Sequence, residues 1–128
     1  MQDCKSCPSP ASSTTQLSQN IGAPFPDQFL YRSTIGALQY LSITRPEISF
    51  ITNKLSQFMQ SPLDTHWSAC KRVLRYLKGS LHHGIFIRSS SHQQIQGFTD
   101  ADWTSNVDDR RSTGGYCVFV GDNLVSWS

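Results

Sequence analysis

Residues 67–88, WSACKRVLRYLKGSLHHGIFIR, change their repeat midway. Trp67, Cys70, Leu74 and Leu77 recur every three or four positions, and Val73 widens the stripe. That spacing predicts a helix over about residues 64–78, stopped by Gly79. Beyond Gly84 the pattern becomes extended, with Ile85, Phe86 and Ile87 opening a run of short apolar stretches. A helical period ahead of an extended one predicts an α+β fold, helices first and strands after.

Two further helices are predicted upstream. Tyr31, Ile35, Leu38 and Leu41 form one apolar stripe; Ile48, Ile51, Leu55 and Phe58 form another, ended by Gln60-Ser61-Pro62. Thr44 and Glu47 stand three apart around Pro46, the spacing of a reciprocal N-terminal cap with proline in the first turn. Residues 1–26, rich in Ser, Thr, Gln and Pro and lacking a periodic apolar stripe, read as a linker or tail, with structure beginning near Asp27.

Four strands are predicted downstream: residues 84–88, 95–100, 116–120 and 124–127, the last two joined by a tight turn at Gly121-Asp122-Asn123. The stretch 116–120 is apolar on both faces, Tyr116, Val118 and Val120 on one and Cys117 and Phe119 on the other. A strand of that kind wants cover on both sides. The region from Ile95 onward is about 35 residues, below the size that usually folds unaided, so it is expected to need support from the helices, a partner or further chain. The chain reads as cut.

The whole chain has 128 residues, 38% hydrophobic and 16% charged, with net charge +2. This is the composition of a globular chain, and the small net charge leaves any electrostatic function to local clustering. No apolar run reaches the roughly 20 residues of a membrane span, and the N-terminus lacks the apolar core of a secretory signal, so an intracellular protein without membrane attachment is expected, in the cytoplasm or nucleus first and with an organelle left open. Cys4-Lys5-Ser6-Cys7 lacks nearby further ligands, the next His or Cys being His66, and reads as two thiols in a leader.

Candidate chemistry sits in three places. Lys71, Arg72, Arg75 and Lys78, four of the eleven basic residues, lie away from the apolar stripe of the third helix. They are either a solvated face suited to the negative helix end or a stripe contacting phosphates. In GFTDADW (residues 97–103), Asp100 and Asp102 alternate and so share one strand face. Grouped carboxylates hold Mg²⁺ for two-metal phosphodiester cleavage, but few acids follow, and no glutamate comes after Glu47. The loop Asp108-Asp109-Arg110-Arg111-Ser112-Thr113-Gly114-Gly115 is either a solvated turn or a second set of backbone contacts.

Together the words YRSTIGALQYLSITRPEISF, LSQFMQSP, HWSACKRVLRYLKGS, GFTDADW and DDRRSTGGYCVFVGDNLVSWS, preceded by Asp3-Cys4-Lys5 and Pro8 to Pro10, resemble the Pol polyprotein of copia-type long-terminal-repeat retrotransposons. The matching stretch runs from the end of the reverse transcriptase into the start of the ribonuclease H domain. The resemblance implies a flexible tail (1–28), a three-helix thumb/connection-like segment (29–92) that holds primer–template duplex, and a truncated ribonuclease H-like domain (93–128). Of that domain's mixed sheet only the first three strands are expected. It further implies that Asp100 is the first-strand carboxylate of the ribonuclease H metal site, with no metal role carried over to Asp102.

The nucleic-acid contacts expected on this basis are Lys71, Arg72, Arg75, Lys78, Arg110, Arg111 and Ser112. In the intact parent the segment is expected to serve RNA-templated DNA synthesis and RNA–DNA hybrid cleavage with Mg²⁺ or Mn²⁺, alongside the remaining polyprotein domains. The reverse transcriptase aspartates are expected upstream of Met1 and the other ribonuclease H carboxylates after Ser128. Alone, the chain is expected to hold no metal tightly, to catalyse neither reaction, and at most to bind RNA–DNA hybrid or duplex weakly through the basic helix.

Overall fold

The computed structural model describes residues 4–13, 16–102, 108 and 112–128. The chain divides into two units, Met1–His83 and Gly84–Ser128. The class is α+β: among the described residues, three α-helices are followed by a three-stranded antiparallel sheet.

In the first unit, helix α1 (Gln28–Leu41) starts where Asp27 accepts the Leu30 N–H at 2.8 Å, satisfying one of the free donors of the first turn. Its expected stripe is the buried one: Tyr31, Ile35 and Leu38 face the core. Helix α2 (Ser49–Ser56) follows a 3-10 turn, Pro46–Ile48, and Ile48, Ile51, Leu55 and Phe58 are all buried. Tyr31 can be fully buried because its hydroxyl donates to the Leu55 carbonyl at 2.8 Å, tying α1 to α2.

The expected reciprocal cap at Thr44 and Glu47 does not form. Thr44 Oγ1 turns back to the Leu41 carbonyl, and the N-cap position is Arg45, with no side-chain cap bond. Glu47 is drawn instead to Arg45, whose Nε lies 2.6 Å from Oε1. Arg45 is buried, donating from Nη1 and Nη2 to the carbonyl (3.0 Å) and hydroxyl (2.7 Å) of Ser80, just past helix α3 (Asp64–Gly79). A charge-assisted fork onto a distant segment outweighs a local cap worth about 1 kcal/mol.

Among its described residues the stretch ahead of Asp27 contains no helix, but parts of it are packed. Leu17 joins the core of the helical unit, and Phe25 stacks on Trp67 with ring centroids 4.9 Å apart. Pro24 bridges Leu63, and Asp64 both donates its N–H to the Ala23 carbonyl (2.9 Å) and accepts the Ala23 N–H on Oδ1 (3.1 Å). Nearer the start, the Cys7 N–H reaches the Arg75 carbonyl at 3.4 Å.

In the second unit, β1 (Ile95–Asp102) pairs with β2 (Thr113–Val120), and β2 with β3 (Asn123–Trp127), all antiparallel. The extended pattern at residues 84–88 does not become a strand. The backbone there is held by a side chain: the Asn123 amide accepts the Arg88 N–H and donates to the Arg88 carbonyl, both at 2.8 Å. The two backbone groups that Arg88 would offer a ladder are thereby occupied.

Gly121 opens the β2–β3 turn at φ +58°, where an added Cβ would lie 2.6 Å from the His92 carbonyl oxygen. Glycine is required there on both counts. Gly121→Ala is expected to destabilise the hairpin by about 1–2 kcal/mol, read as roughly tenfold faster hydrogen exchange of the β2 and β3 amides. Unchanged exchange would show that the turn tolerates a side chain.

None of the described residues of the second unit is buried. Phe98 and Phe119 meet edge to face at 6.0 Å on one face, yet Phe98 remains 57% exposed. The hydrophobic contribution of this sheet is therefore small, as its short length leads one to expect.

Candidate functional site

The sequence-predicted residues fall on both units. In the helical unit, the stripe at positions 66, 70 and 73 is buried: His66, Cys70 and Val73. The fully buried His66 accepts the Leu63 N–H on Nδ1 at 3.1 Å, which leaves the proton on Nε2 for the Ser18 carbonyl 3.0 Å away. It also stacks on Phe58 at 3.8 Å. His66 was not singled out from the sequence; its spacing with Cys70 and Val73 was the available signal. Burial pushes the Cys70 thiol up to about 12. Burial likewise raises the Tyr31 phenol, with the Cys70 charge adding to it.

The four basic residues of α3 separate into two kinds. Lys71 and Lys78 are exposed, while Arg72 and Arg75 are half-buried. The leader reaches three of the four: Arg72 Nη2 donates to Ser9 Oγ at 3.0 Å, Lys78 Nζ to the Cys4 carbonyl at 3.1 Å, and the Arg75 backbone takes the Cys7 N–H. A helical wheel puts Lys71, Arg75 and Lys78 on one side, with Arg72 beside them. The structure leaves both lysines exposed, Lys78 with its ammonium on the Cys4 carbonyl, and half-buries the two arginines.

In the sheet, Asp100 is exposed on β1 and faces Gly115 in the register, so no side chain of β2 stands opposite it. Its Oδ1 accepts the Ala101 N–H at 2.9 Å. Asp102 lies two positions on, opposite Thr113. Ser112 is exposed just before β2; Arg110 and Arg111 lie outside the described residues. Among the described residues no group of three His, Cys, Asp or Glu side chains could hold a metal ion. A Mg²⁺ ion takes about six oxygen donors, most of them water when the protein supplies one or two carboxylates, and two-metal cleavage needs more protein oxygens than Asp100 offers. The described residues do not fit a resident catalytic metal.

The geometry of the two units leaves the family open, and the relatives supply it. The chain is 43% identical over 128 residues, its whole length, to the retrovirus-related Pol polyprotein from transposon RE2 of Arabidopsis thaliana, and 42% identical over 128 residues to that from transposon RE1 of the same plant. It is 44% identical over 130 residues to the uncharacterized mitochondrial protein AtMg00810 of Arabidopsis thaliana. No protein-family model and no solved structure matches it. The chain is a relative of retrotransposon Pol polyproteins: it is homologous along its full length to a segment of those of the copia type. It spans 9% of the length of the RE2 and RE1 polyproteins and 53% of AtMg00810. Among the described residues no helix is long and apolar enough to cross a membrane.

Proposed function

We propose that the chain corresponds to the junction between the reverse transcriptase and ribonuclease H regions of a copia-type Pol polyprotein. In the intact parent it helps to hold the primer–template duplex and contributes one metal-binding carboxylate to hybrid cleavage. By itself it catalyses neither reaction and retains weak attachment to duplex nucleic acid. The observation that carries this reading is Asp100: exposed, near the end of β1, opposite a glycine and, among the described residues, outside any group of three His, Cys, Asp or Glu side chains. That is the setting of a ligand whose co-ligands come from elsewhere.

The attachment falls to Lys71 and Lys78, which face solvent, more than to the two arginines. Phosphate contact by two cations gives a slope of log K against log[salt] of about −2, whereas four give about −3.5. The test uses a labelled RNA–DNA hybrid and the purified chain in Mg²⁺ and in Mn²⁺. No cleavage is expected, and fluorescence anisotropy is expected to report binding with the shallower slope, weakened in Lys71→Gln and Lys78→Gln. Cleavage that disappears in Asp100→Asn would overturn the inactive reading. Binding indifferent to salt would overturn the attachment.

A further inference from the structure

We propose that the cleft between the leader and α3 binds a small organic phosphate, its phosphate group at Arg72 and Arg75 and its apolar body against Leu17, Ile51 and Ala69. This site is distinct from the lysine surface proposed for duplex attachment. The cleft has a volume of about 310 Å³, at the lower end of the range for small-molecule sites. Pro10, Ala11 and Ser12 of the leader form one wall; Ile51 and the α3 residues form the other.

Three observations specify an anion. Arg72 and Arg75 are both half-buried, one turn apart on the same helix, and both line the cleft. Their Nε atoms are shielded from solvent and have no hydrogen-bond partner among the described residues. Neither guanidinium is in an ion pair there, and the single neutral contact of the pair is Arg72 Nη2 on Ser9 Oγ. Two neighbouring cations withdrawn from water without a counter-charge are unfavourable, and an oxyanion relieves both at once. The guanidinium fork suits phosphate in particular, since two oxygens can be met in parallel.

Two features shape the rest of the ligand. Asp64, the acid on the lining, lies two turns earlier (about 12 Å along the axis) and accepts the Ala23 N–H, so negative charge is disfavoured at that end. The lining also carries the aliphatic side chains of Leu17, Ile51 and Ala69, with Thr65 and, one turn before Arg72, the Ser68 hydroxyl. A phosphate monoester with a compact apolar group matches this lining; a bare inorganic ion leaves the aliphatic part unused.

The probe is phenyl phosphate, titrated into the isotope-labelled full chain and followed by amide chemical shifts, beside inorganic phosphate and phenol. Phenyl phosphate is expected to shift Ser68, Ala69, Arg72 and Arg75 saturably, with a Kd of about 1 mM or tighter. Phosphate alone is expected to bind at least tenfold more weakly, and phenol not to bind. Arg75→Gln is expected to weaken phenyl phosphate at least tenfold, whereas Lys71→Gln leaves it unchanged while weakening duplex binding. The site is refuted by absence of saturable shifts up to about 10 mM, by shifts centred on Lys71 and Lys78, or by phenol binding as well as phenyl phosphate. Should Arg75→Gln fail to fold, the shift map of the unaltered chain decides alone.

Discussion

Arg45→Met is expected to destabilise the helical unit by about 3 kcal/mol, the cost of breaking a buried charge-assisted network by removing one member. Arg45 is 5% exposed and makes three side-chain bonds, one to Glu47 and two to Ser80. Its guanidinium also lies 5.7 Å from the ring centre of Tyr76, whose hydroxyl reaches Glu47 at 3.3 Å. Methionine fills much of the same volume but leaves the Ser80 carbonyl without this donor. The Glu47 share is the smaller one, because its side chain is 36% exposed and water screens it. Urea unfolding followed by helical circular dichroism measures the change. Arg45→Lys keeps the charge and loses the fork, so it is expected to recover only part of the loss. A loss below about 1 kcal/mol for Arg45→Met would mean that the network is no better than an exposed ion pair.

Alkaline pH provides the second large effect. Burial holds the Cys70 thiol at about 12 against an ordinary value of 9.0. Between those values the unfolded chain has released this proton and the folded chain has kept it, so ionisation favours unfolding. The contribution is therefore intact below pH 9 and is lost progressively as pH rises toward 12, at about 1.4 kcal/mol per unit. Tyr31 acts in the same direction once the unfolded phenol begins to ionise near 10.0. From pH 8 to 10.5 the Cys70 share is about 2 kcal/mol. Other tyrosines and lysines also titrate there, so the informative quantity is the difference between the wild type and Cys70→Ala. The variant is expected to start less stable, from the lost packing of the buried thiol sulfur, and to fall less steeply above pH 9. Parallel curves would show that Cys70 does not resist ionisation in the folded state.

Legibility in the sequence depended on the range of the interaction. The stripes Tyr31-Ile35-Leu38 and Ile48-Ile51-Leu55-Phe58 were readable because three-and-four spacing by itself places side chains on one helical face. The α+β order and the β2–β3 turn were readable for the same local reason. Thr44 and Glu47 misled because a nearby arginine with a distant partner, Ser80, competed for the glutamate. The stretch at 84–88 misled because β-propensity reports fitness for a pleated surface, while a ladder also needs a neighbour with free backbone groups. At the candidate site, Asp100 and the four cations of α3 were named from the sequence, but the division of those cations into exposed lysines and half-buried arginines was not. Nor did anything in a Ser- and Pro-rich leader point to Leu17 in the core or Ser9 on Arg72.

By itself the sequence determined the helical faces of α1 and α2, the extended period of the second unit, and homology to a segment of copia-type Pol polyproteins. Periodicity is a property of the local chain, and homology is a property of the residue string. Only the tertiary structure decided that Arg45 is buried, that the leader lies along α3, and that Arg72 and Arg75 share a cleft. Each of these rests on a contact between residues more than thirty positions apart, Arg45 with Ser80 and Ser9 with Arg72 among them. No local repeat encodes such a contact; it is chosen when burial of one group forces it to find its partner from whatever the fold brings near.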